Sequence, residues 1–425
     1  MLEVTIYPRR LAGEIDIPPS KSMSHRAVIC AGLADGTSNI NNIGFSQDIE
    51  ATCEAMRCLG IRTEKHGTSL IINGIGKPVL KKRDIDCRES GSTLRFIIPI
   101  AALTGNGVVF HGEGRLVERS LEPYYRIFEK QGIKYITDNG RLPLQMEGSL
   151  IPGEFELAGN ISSQFISGLM FALPLLDGDS RITVTGELES RPYIDMTRQV
   201  LEGFAIAVES HDDSGYFIKG NQNYKAADYT VEGDFSQAAF WLVAGALGSE
   251  VFCKGLSADS LQGDKAVMKI IESMRGKLVS HAGRVKALPS ATAGTCIDAS
   301  QCPDLVPVLT VLGALSEGRT EIRNAERLRL KESDRLKAIS SELLKLGADI
   351  TEKKDGLVIN GVKTLRGGKV DSWNDHRIAM ALAVAATRCE SEVTISNASC
   401  VRKSYPDFWK HYKALEGKID ERDLG

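Results

Sequence analysis

Ser20-Lys21-Ser22-Met23-Ser24-His25-Arg26, followed by Ala27-Val28-Ile29-Cys30-Ala31-Gly32-Leu33-Ala34, sets three hydroxyls and two cations at the head of a run that is apolar all round. A helix on a domain surface keeps a polar face, so a run with none is predicted to lie buried inside a domain. The pattern recurs. Apolar helices are predicted to begin near Ser22, Ser90, Ser162, Asp234, Asp304 and Asp375, roughly seventy residues apart, a longer period than usual solenoid repeats. They read Ala27 to Ala34, Leu94 to Leu103, Phe165 to Leu173, Ala238 to Leu247, Leu305 to Leu315 and Ile378 to Ala386. Gly36, Gly105, Gly178, Gly248 and Gly318 follow five of them, where a left-handed residue would close the helix, and the sixth ends at Arg388-Cys389-Glu390 without one.

Between these helices lie β-rich runs, such as those starting at Gly107, Arg181 and Glu392, and amphipathic second helices, as in Asp48 to Leu59, Ile194 to Leu201, Lys265 to Met274 and Asp334 to Leu346. Closing strands follow in five repeats, for example Gly356 to Gly361. The sixth repeat is read as stopping after Phe408 to Leu415 with no strand behind it, while Leu2 to Ile17 holds two strand-like runs with no helix before them. The N-terminus is therefore expected to supply the strands that the sixth repeat lacks. That closure makes residues 1–19 and 232–425 one discontinuous domain and 20–231 an inserted one, with chain crossings near Pro18-Pro19 and Val231-Glu232-Gly233. An α/β protein of two three-repeat domains also suits 425 residues, a length beyond that of a single core.

Composition narrows the function. Hydrophobic residues at 42% and charged residues at 25% describe an ordinary soluble protein. With 52 Lys+Arg against 55 Asp+Glu, a general nucleic-acid binder is excluded, and any anionic ligand must be held by local cations. Nine cysteines without a C-x-x-C pair suggest reduced thiols in a cytosol, and neither a zinc site nor a disulfide framework. MLEVTIYPRR lacks the layout of a signal peptide and no later stretch reads as a membrane span, so a cytoplasmic protein starting at Met1 is expected.

If all six helix starts point into the gap between the domains, their unpaired N–H groups suit phosphate and carboxylate ligands. A capping role accounts for one hydroxyl at each start, and cations beside several starts speak for more. Lys21 is a point charge for one phosphate and Arg26 a planar fork for another acceptor. Gly91 stands where backbone must approach a ligand closely, and Asn160-Ile161-Ser162-Ser163-Gln164 offers two hydroxyls and an amide. Asp304 heads the fifth helix, Arg327 to Arg335 is dense in both charges, and His376-Arg377 enters the sixth helix directly.

These motifs together resemble the EPSP synthase family over essentially the whole chain. The resemblance rests on SKSMSHRA from Ser20, SGSTLRF from Ser90, GEGRLVERSLEP from Gly112, ISSQF from Ile161, SRPYIDMT from Ser190, LKESDRL from Leu330, NDHRIAM from Asn374 and RKSYPDF from Arg402. It implies an inside-out α/β barrel fold in two domains, each of three βαβαββ units with buried parallel helices and strands outside, closing over substrates in the cleft. It implies transfer of the enolpyruvyl group of phosphoenolpyruvate to shikimate 3-phosphate, a step toward chorismate and the aromatic amino acids. Shikimate 3-phosphate would meet Lys21, Ser22, Arg26, Ser162, Ser163, Gln164, Ser190, Tyr193, Asp304, Arg327 and Lys331. Phosphoenolpyruvate would meet Lys21, Gly91, Arg119, Gln164, Arg335, Arg377 and Lys403. Glu332 would exchange the C3 proton, Asp304 would lie near the attacking hydroxyl with Lys21 as an alternative partner, and His376 would move protons or position Glu332.

A monomer acting on these small molecules is expected, without cofactor, metal, nucleic acid or membrane. Arg327, Glu89 and Phe96 stand where many relatives have Asn, Asn and Pro, the last two near the region where glyphosate, a candidate inhibitor, competes. UDP-N-acetylglucosamine enolpyruvyl transferase is the nearest alternative, but its family carries a reactive Cys in the loop corresponding to Gly112 to Arg119, where this chain has none. A non-enzymatic anion-binding scaffold is the other, and carboxylates at Asp304 and Glu332 would only weaken it.

Overall fold

A computed structural model describes residues 2–211 and 215–425; Met1, the expected start, and residues 212–214 lie outside the described residues. The chain divides into two compact units, Pro19–Val231 and the pair Met1–Pro18 with Glu232–Gly425. The break points carry backbone hydrogen bonds: Asp234 N donates to Pro18 O at 2.9 Å in one unit, and Val231 N to Asn41 O at 3.0 Å in the other.

The inserted unit contains α1 (Lys21–Leu33), α2 (Gln47–Cys58), α3 (Gly91–Ala102), α4 (Glu122–Gln131), α5 (Ser163–Ala172) and α6 (Arg191–Gly203). The discontinuous unit contains α7 (Phe235–Ala246), α8 (Ala266–Ser273), α9 (Val306–Ala314), α10 (Arg335–Lys345), α11 (His376–Ala386) and α12 (Phe408–Ala414). Every residue of α7, α9 and α11 is buried, as the absence of a polar face requires. In the inserted unit α1, α3 and α5 fill the same role, and each unit has one continuous apolar core.

Among the described residues there are six four-stranded sheets, three in each unit. All have one parallel pair followed by two antiparallel strands. In the second repeat Asp84–Asp86 runs parallel to Val108–His111, which pairs with Arg141–Glu147, which pairs with Lys134–Asp138. The parallel pair needs a long crossover, and the buried helix supplies it. The first repeat has no strand of its own before α1; Asp228–Thr230, from the end of the same unit, takes that place beside Asp35–Asn41. No described helix is long and apolar enough to cross a membrane.

Several sequence expectations need correction. The sixth repeat does own a closing strand, Lys418–Asp423, which was hidden because only Ile419 in it is buried and the rest is charged edge. The N-terminal runs also part company: Leu2–Tyr7 lies between Val393–Ser396 and Lys418–Asp423, whereas Ala12–Asp16 pairs with Glu250–Lys254 in the fourth repeat. Ser20, not Ser22, caps α1, through Ser20 Oγ accepting from Met23 N at 3.4 Å. Asp304 caps no α-helix. A 3-10 turn, Pro303–Leu305, precedes α9, and the carboxylate is turned to cations instead. Gly178 does not take the positive φ expected of a helix-closing glycine, because α5 runs on into a 3-10 turn, Leu173–Leu175, that ends on Leu176.

Ile6, fully buried at the centre of the sixth repeat's sheet, pairs with Val393 and Ile419 across almost the whole chain. Ile6→Ala is expected to cost about 2–5 kcal/mol in urea unfolding, as for any buried core isoleucine, although it sits at a chain terminus. A cost within about 0.5 kcal/mol of zero, the value for surface sites, would show the strand is dispensable.

Candidate active site

In the inserted unit the starts of α1, α3 and α5 carry the polar groups. Lys21 Nζ donates to Asp48 Oδ2 at 2.7 Å, a largely buried ion pair between the first turns of α1 and α2. Arg26 is buried beneath it on α1. Its Nε donates to Thr197 Oγ1 at 2.8 Å, Nη1 to Ser22 O at 2.7 Å and Nη2 to Tyr193 O at 2.8 Å. The guanidinium also lies 5.2 Å from the centroid of the Phe96 ring. Burial lowers Arg26 to about 10, so it keeps its charge at neutral pH, and its fork braces α1 against α6. Ser22 and Tyr193 meet it through their carbonyls. Neighbouring His25 is held well below its ordinary value by burial, helped by Lys21 and Arg26.

At the next two helix starts, Gln164 Nε2 donates to Ser92 Oγ at 2.9 Å and Gln164 Oε1 accepts from Arg95 Nη1 at 2.8 Å. A Cβ on Gly91 would lie 2.8 Å from Arg119 Nη1 and 3.7 Å from Gln164 Oε1. Gly91, Gln164 and Arg119 are therefore brought together, with Arg95 as a further cation one helical turn after Gly91. Ser90 and Ser162 each cap their helix with the side chain. Ser163 is buried in the first turn of α5, and Ser190 holds a left-handed conformation, φ 56°, ahead of α6. Glu89 lies against Gly114, on the approach to Arg119, while Phe96 is a core residue edge-on to Phe171.

In the discontinuous unit the centre is Arg335, 1% exposed. Its Nε donates to Asp375 Oδ2 at 2.7 Å, Nη1 to Asp304 Oδ1 at 2.9 Å and Nη2 to Glu332 Oε2 at 2.7 Å. Arg377 Nη2 reaches Asp304 Oδ2 at 2.9 Å and Ser236 Oγ at 3.3 Å, and Lys331 Nζ lies 3.7 Å from Asp304 Oδ1. Asp375 holds α11's first turn as well, accepting from Arg377 N at 2.9 Å. His376 is buried with Nδ1 3.8 Å from Asp375 Oδ1. Lys403 Nζ donates to Asn374 O at 2.7 Å, and Arg327 Nη2 to Ser300 O at 2.8 Å.

The electrostatics follow from this packing. Burial alone would raise the Asp304 carboxyl, but Arg377, Lys331 and Arg335 overcome it and hold Asp304 far below the usual carboxylate range. Burial likewise opposes the charge on Arg335, and Asp375, Glu332 and Asp304 restore it. Lys331 falls to about 8: burial and the Arg335 and Arg327 charges outweigh the attraction of Asp304 and Glu332. One third of its side chain reaches solvent, so this is a tunable surface-facing cation rather than a locked core charge.

Sequence reasoning singled out the cations but missed several of their partners. Asp48, Thr197 and Ser236 sit in amphipathic or apolar segments where nothing marks them as partners of Lys21, Arg26 and Arg377, which come from other helices. Arg95 was findable, since it follows Gly91 at the i, i+4 spacing that puts two residues on one helix face. Asp375 was read as the head of a helix; its second task, gripping Arg335, depends on tertiary contact.

Comparison with known proteins gives the family. The family model for EPSP synthase (3-phosphoshikimate 1-carboxyvinyltransferase) matches residues 6–412. A 3-phosphoshikimate 1-carboxyvinyltransferase of Clostridium kluyveri is 52% identical over 425 residues, covering 100% of both chains. One from Clostridium perfringens strain 13 is 54% identical, covering 99% of this chain and 100% of the relative. Among solved structures, EPSP synthase from Acinetobacter baumannii matches with a TM-score of 0.84 at 24% identity over 100% of both chains. The enolpyruvyl transferase NikO from Streptomyces tendae matches with a TM-score of 0.82 at 17% identity, over 100% of this chain and 99% of that one, a likeness of fold. By motif order, repeat architecture and full-length identity, the chain belongs to the EPSP synthase family.

Proposed function

We propose that the chain transfers the enolpyruvyl group of phosphoenolpyruvate to the 5-hydroxyl of shikimate 3-phosphate and releases phosphate. The observation that carries the reading is the attachment of two carboxylates, Asp304 and Glu332, to one buried guanidinium, that of Arg335, with Lys331 and Arg377 beside them. A binding scaffold for anions gains nothing from those carboxylates. An addition–elimination needs them.

The reaction joins a secondary hydroxyl to C2 of an enol phosphate. A proton goes to the C3 methylene, the hydroxyl oxygen bonds to C2 and loses its own proton, and a tetrahedral intermediate forms. Its collapse expels phosphate and returns a C3 proton to the protein, so one acid and one base can exchange roles. Glu332 takes the C3 proton exchange and Asp304, ionised at neutral pH, accepts from the attacking hydroxyl, with Lys21 as the alternative partner there and His376 assisting proton movement. Phosphoenolpyruvate brings anionic groups to Arg335 and Arg377, together with Lys21, Gly91, Arg119, Gln164 and Lys403. Competition for Arg335 loosens its hold on Glu332, which raises the proton affinity of Glu332 as the acid step approaches. Shikimate 3-phosphate takes Ser22, Arg26, Ser162, Ser163, Gln164, Ser190, Tyr193, Arg327 and Lys331.

Continuous measurement of phosphate release tests the reaction. Release is expected only with both substrates and not when UDP-N-acetylglucosamine replaces shikimate 3-phosphate; release with the nucleotide sugar, or none with either acceptor, would refute the assignment. Glu332→Gln and Lys21→Ala are expected to lower kcat by roughly 10²–10⁴-fold, the range for losing a positioned acid or base, with the chain still folded at the assay temperature. Wild-type turnover in both would remove them from the mechanism.

Lys331 gives a pH signature. Its folded value is lowered to about 8, so the ammonium is present below that pH and is lost as pH rises through it. KM for shikimate 3-phosphate is expected to climb above about pH 8. Lys331→Arg, which stays charged, should move the rise out of the accessible range; an unaltered profile in that variant would assign the inflection to another group.

A further inference from the structure

Glu342 is buried on α10, 1% exposed, with no part in the chemistry described above. It follows Arg335 by seven residues, two helical turns, and so lies on the same face of that helix. Its Oε1 accepts from Trp373 Nε1 at 2.8 Å and its Oε2 from Asp371 N at 2.9 Å, while Lys345 Nζ balances the charge at 2.7 Å. α10 therefore grips one short turn twice: Arg335 holds Asp375, and Glu342 holds Asp371 and Trp373.

That turn has an uncommon shape. Trp373 and Asn374 are consecutive left-handed residues, φ 54° and 53°. Bulky side chains rarely adopt positive φ, and such conformations persist only where the surroundings over-determine them. The bend turns the Asn374 carbonyl to Lys403 Nζ at 2.7 Å and delivers Asp375 to the head of α11.

We infer that Glu342 is a positioning residue for the active site: through the Trp373 indole it fixes the turn that aims the Asn374 carbonyl at Lys403 and Asp375 at Arg335. The inference rests on the reading that Lys403 and Arg335 hold phosphoenolpyruvate. Glu342 touches neither substrate. It acts by fixing where the Lys403 ammonium and the Arg335 guanidinium stand.

The test compares steady-state kinetics and melting temperature of the full chain with Trp373→Phe, Glu342→Gln, Lys403→Met and the double variant Trp373→Phe/Lys403→Met. Trp373→Phe keeps the ring and deletes the indole N–H. It is expected to raise KM for phosphoenolpyruvate roughly 10-fold, the lower end for loss of a supporting contact behind a ligand-binding group, with KM for shikimate 3-phosphate shifted less than about 2-fold. Glu342→Gln should do the same, and Trp373→Phe should add little once Lys403 is gone. If Lys403→Met raises KM for phosphoenolpyruvate while Trp373→Phe leaves it at the wild-type value, with or without a fall in melting temperature, the positioning role is overturned. If Lys403→Met itself leaves that KM unchanged, the underlying reading fails and the inference with it. Should Glu342→Gln not fold, Trp373→Phe decides alone.

Discussion

A helix without a polar face must be surrounded on every side, and that requirement organises the protein. α7, α9 and α11 are buried along their full length, so the discontinuous unit has to wrap its three sheets around them; α1, α3 and α5 impose the same demand on the inserted unit. Each sheet contributes a parallel pair bridged by the helix it covers, or by a strand borrowed from elsewhere in the same unit. Burying a helix whole also gathers its charged residues near its first turns, while mid-helix hydroxyls such as Ser167 and Thr310 hydrogen-bond inside the core. Those turns become the places where hydroxyls, cations and carboxylates collect, with N–H groups already exposed there. Core formation and the candidate site are consequences of one pattern.

The two clusters handle charge differently. In the inserted unit the cations are partnered one at a time: Lys21 by Asp48, Arg26 by two carbonyls and a hydroxyl, Arg95 by the Gln164 amide. In the discontinuous unit Arg335 answers three carboxylates at once, and Asp304 answers three cations. Removing one partner of such a network leaves a buried charge uncompensated, which is costlier than losing a surface pair. Under the proposed function, substrate anions would compete with these carboxylates for the same cations.

What was legible in the sequence follows the same division. Six apolar runs, their period and their hydroxyl or carboxylate heads were readable because burial on all sides leaves no room for polar residues. Lys418–Asp423 was not, since an edge strand whose outer positions are charged looks like a tail. The destination of Ala12–Asp16 was hidden for another reason: strand pairing depends on partners far away in the chain, and nothing local distinguishes the fourth repeat from the sixth. At the site, cation-rich motifs announced themselves, while Asp48, Ser236 and Thr197 did not, being single polar residues in segments with other work. The turn at Trp373 and Asn374 also escaped, because Trp is rare in the left-handed region and a lone Asn marks such a bend less firmly than glycine would.

The central place of Leu2–Tyr7 bears on synthesis at the ribosome. This strand is made long before its partners Val393–Ser396 and Lys418–Asp423. The whole of Pro19–Val231 can emerge and fold in between, since its own closing strand, Asp228–Thr230, arrives with its final residues. Until those partners emerge, Val4 and Ile6, the buried residues of this strand, wait without their sheet. Such long-range pairing is slow to form and leaves strand edges open to other chains. Recombinant production of this protein should accordingly be limited by closure of the discontinuous unit, and chaperone demand should centre on its N-terminal strand.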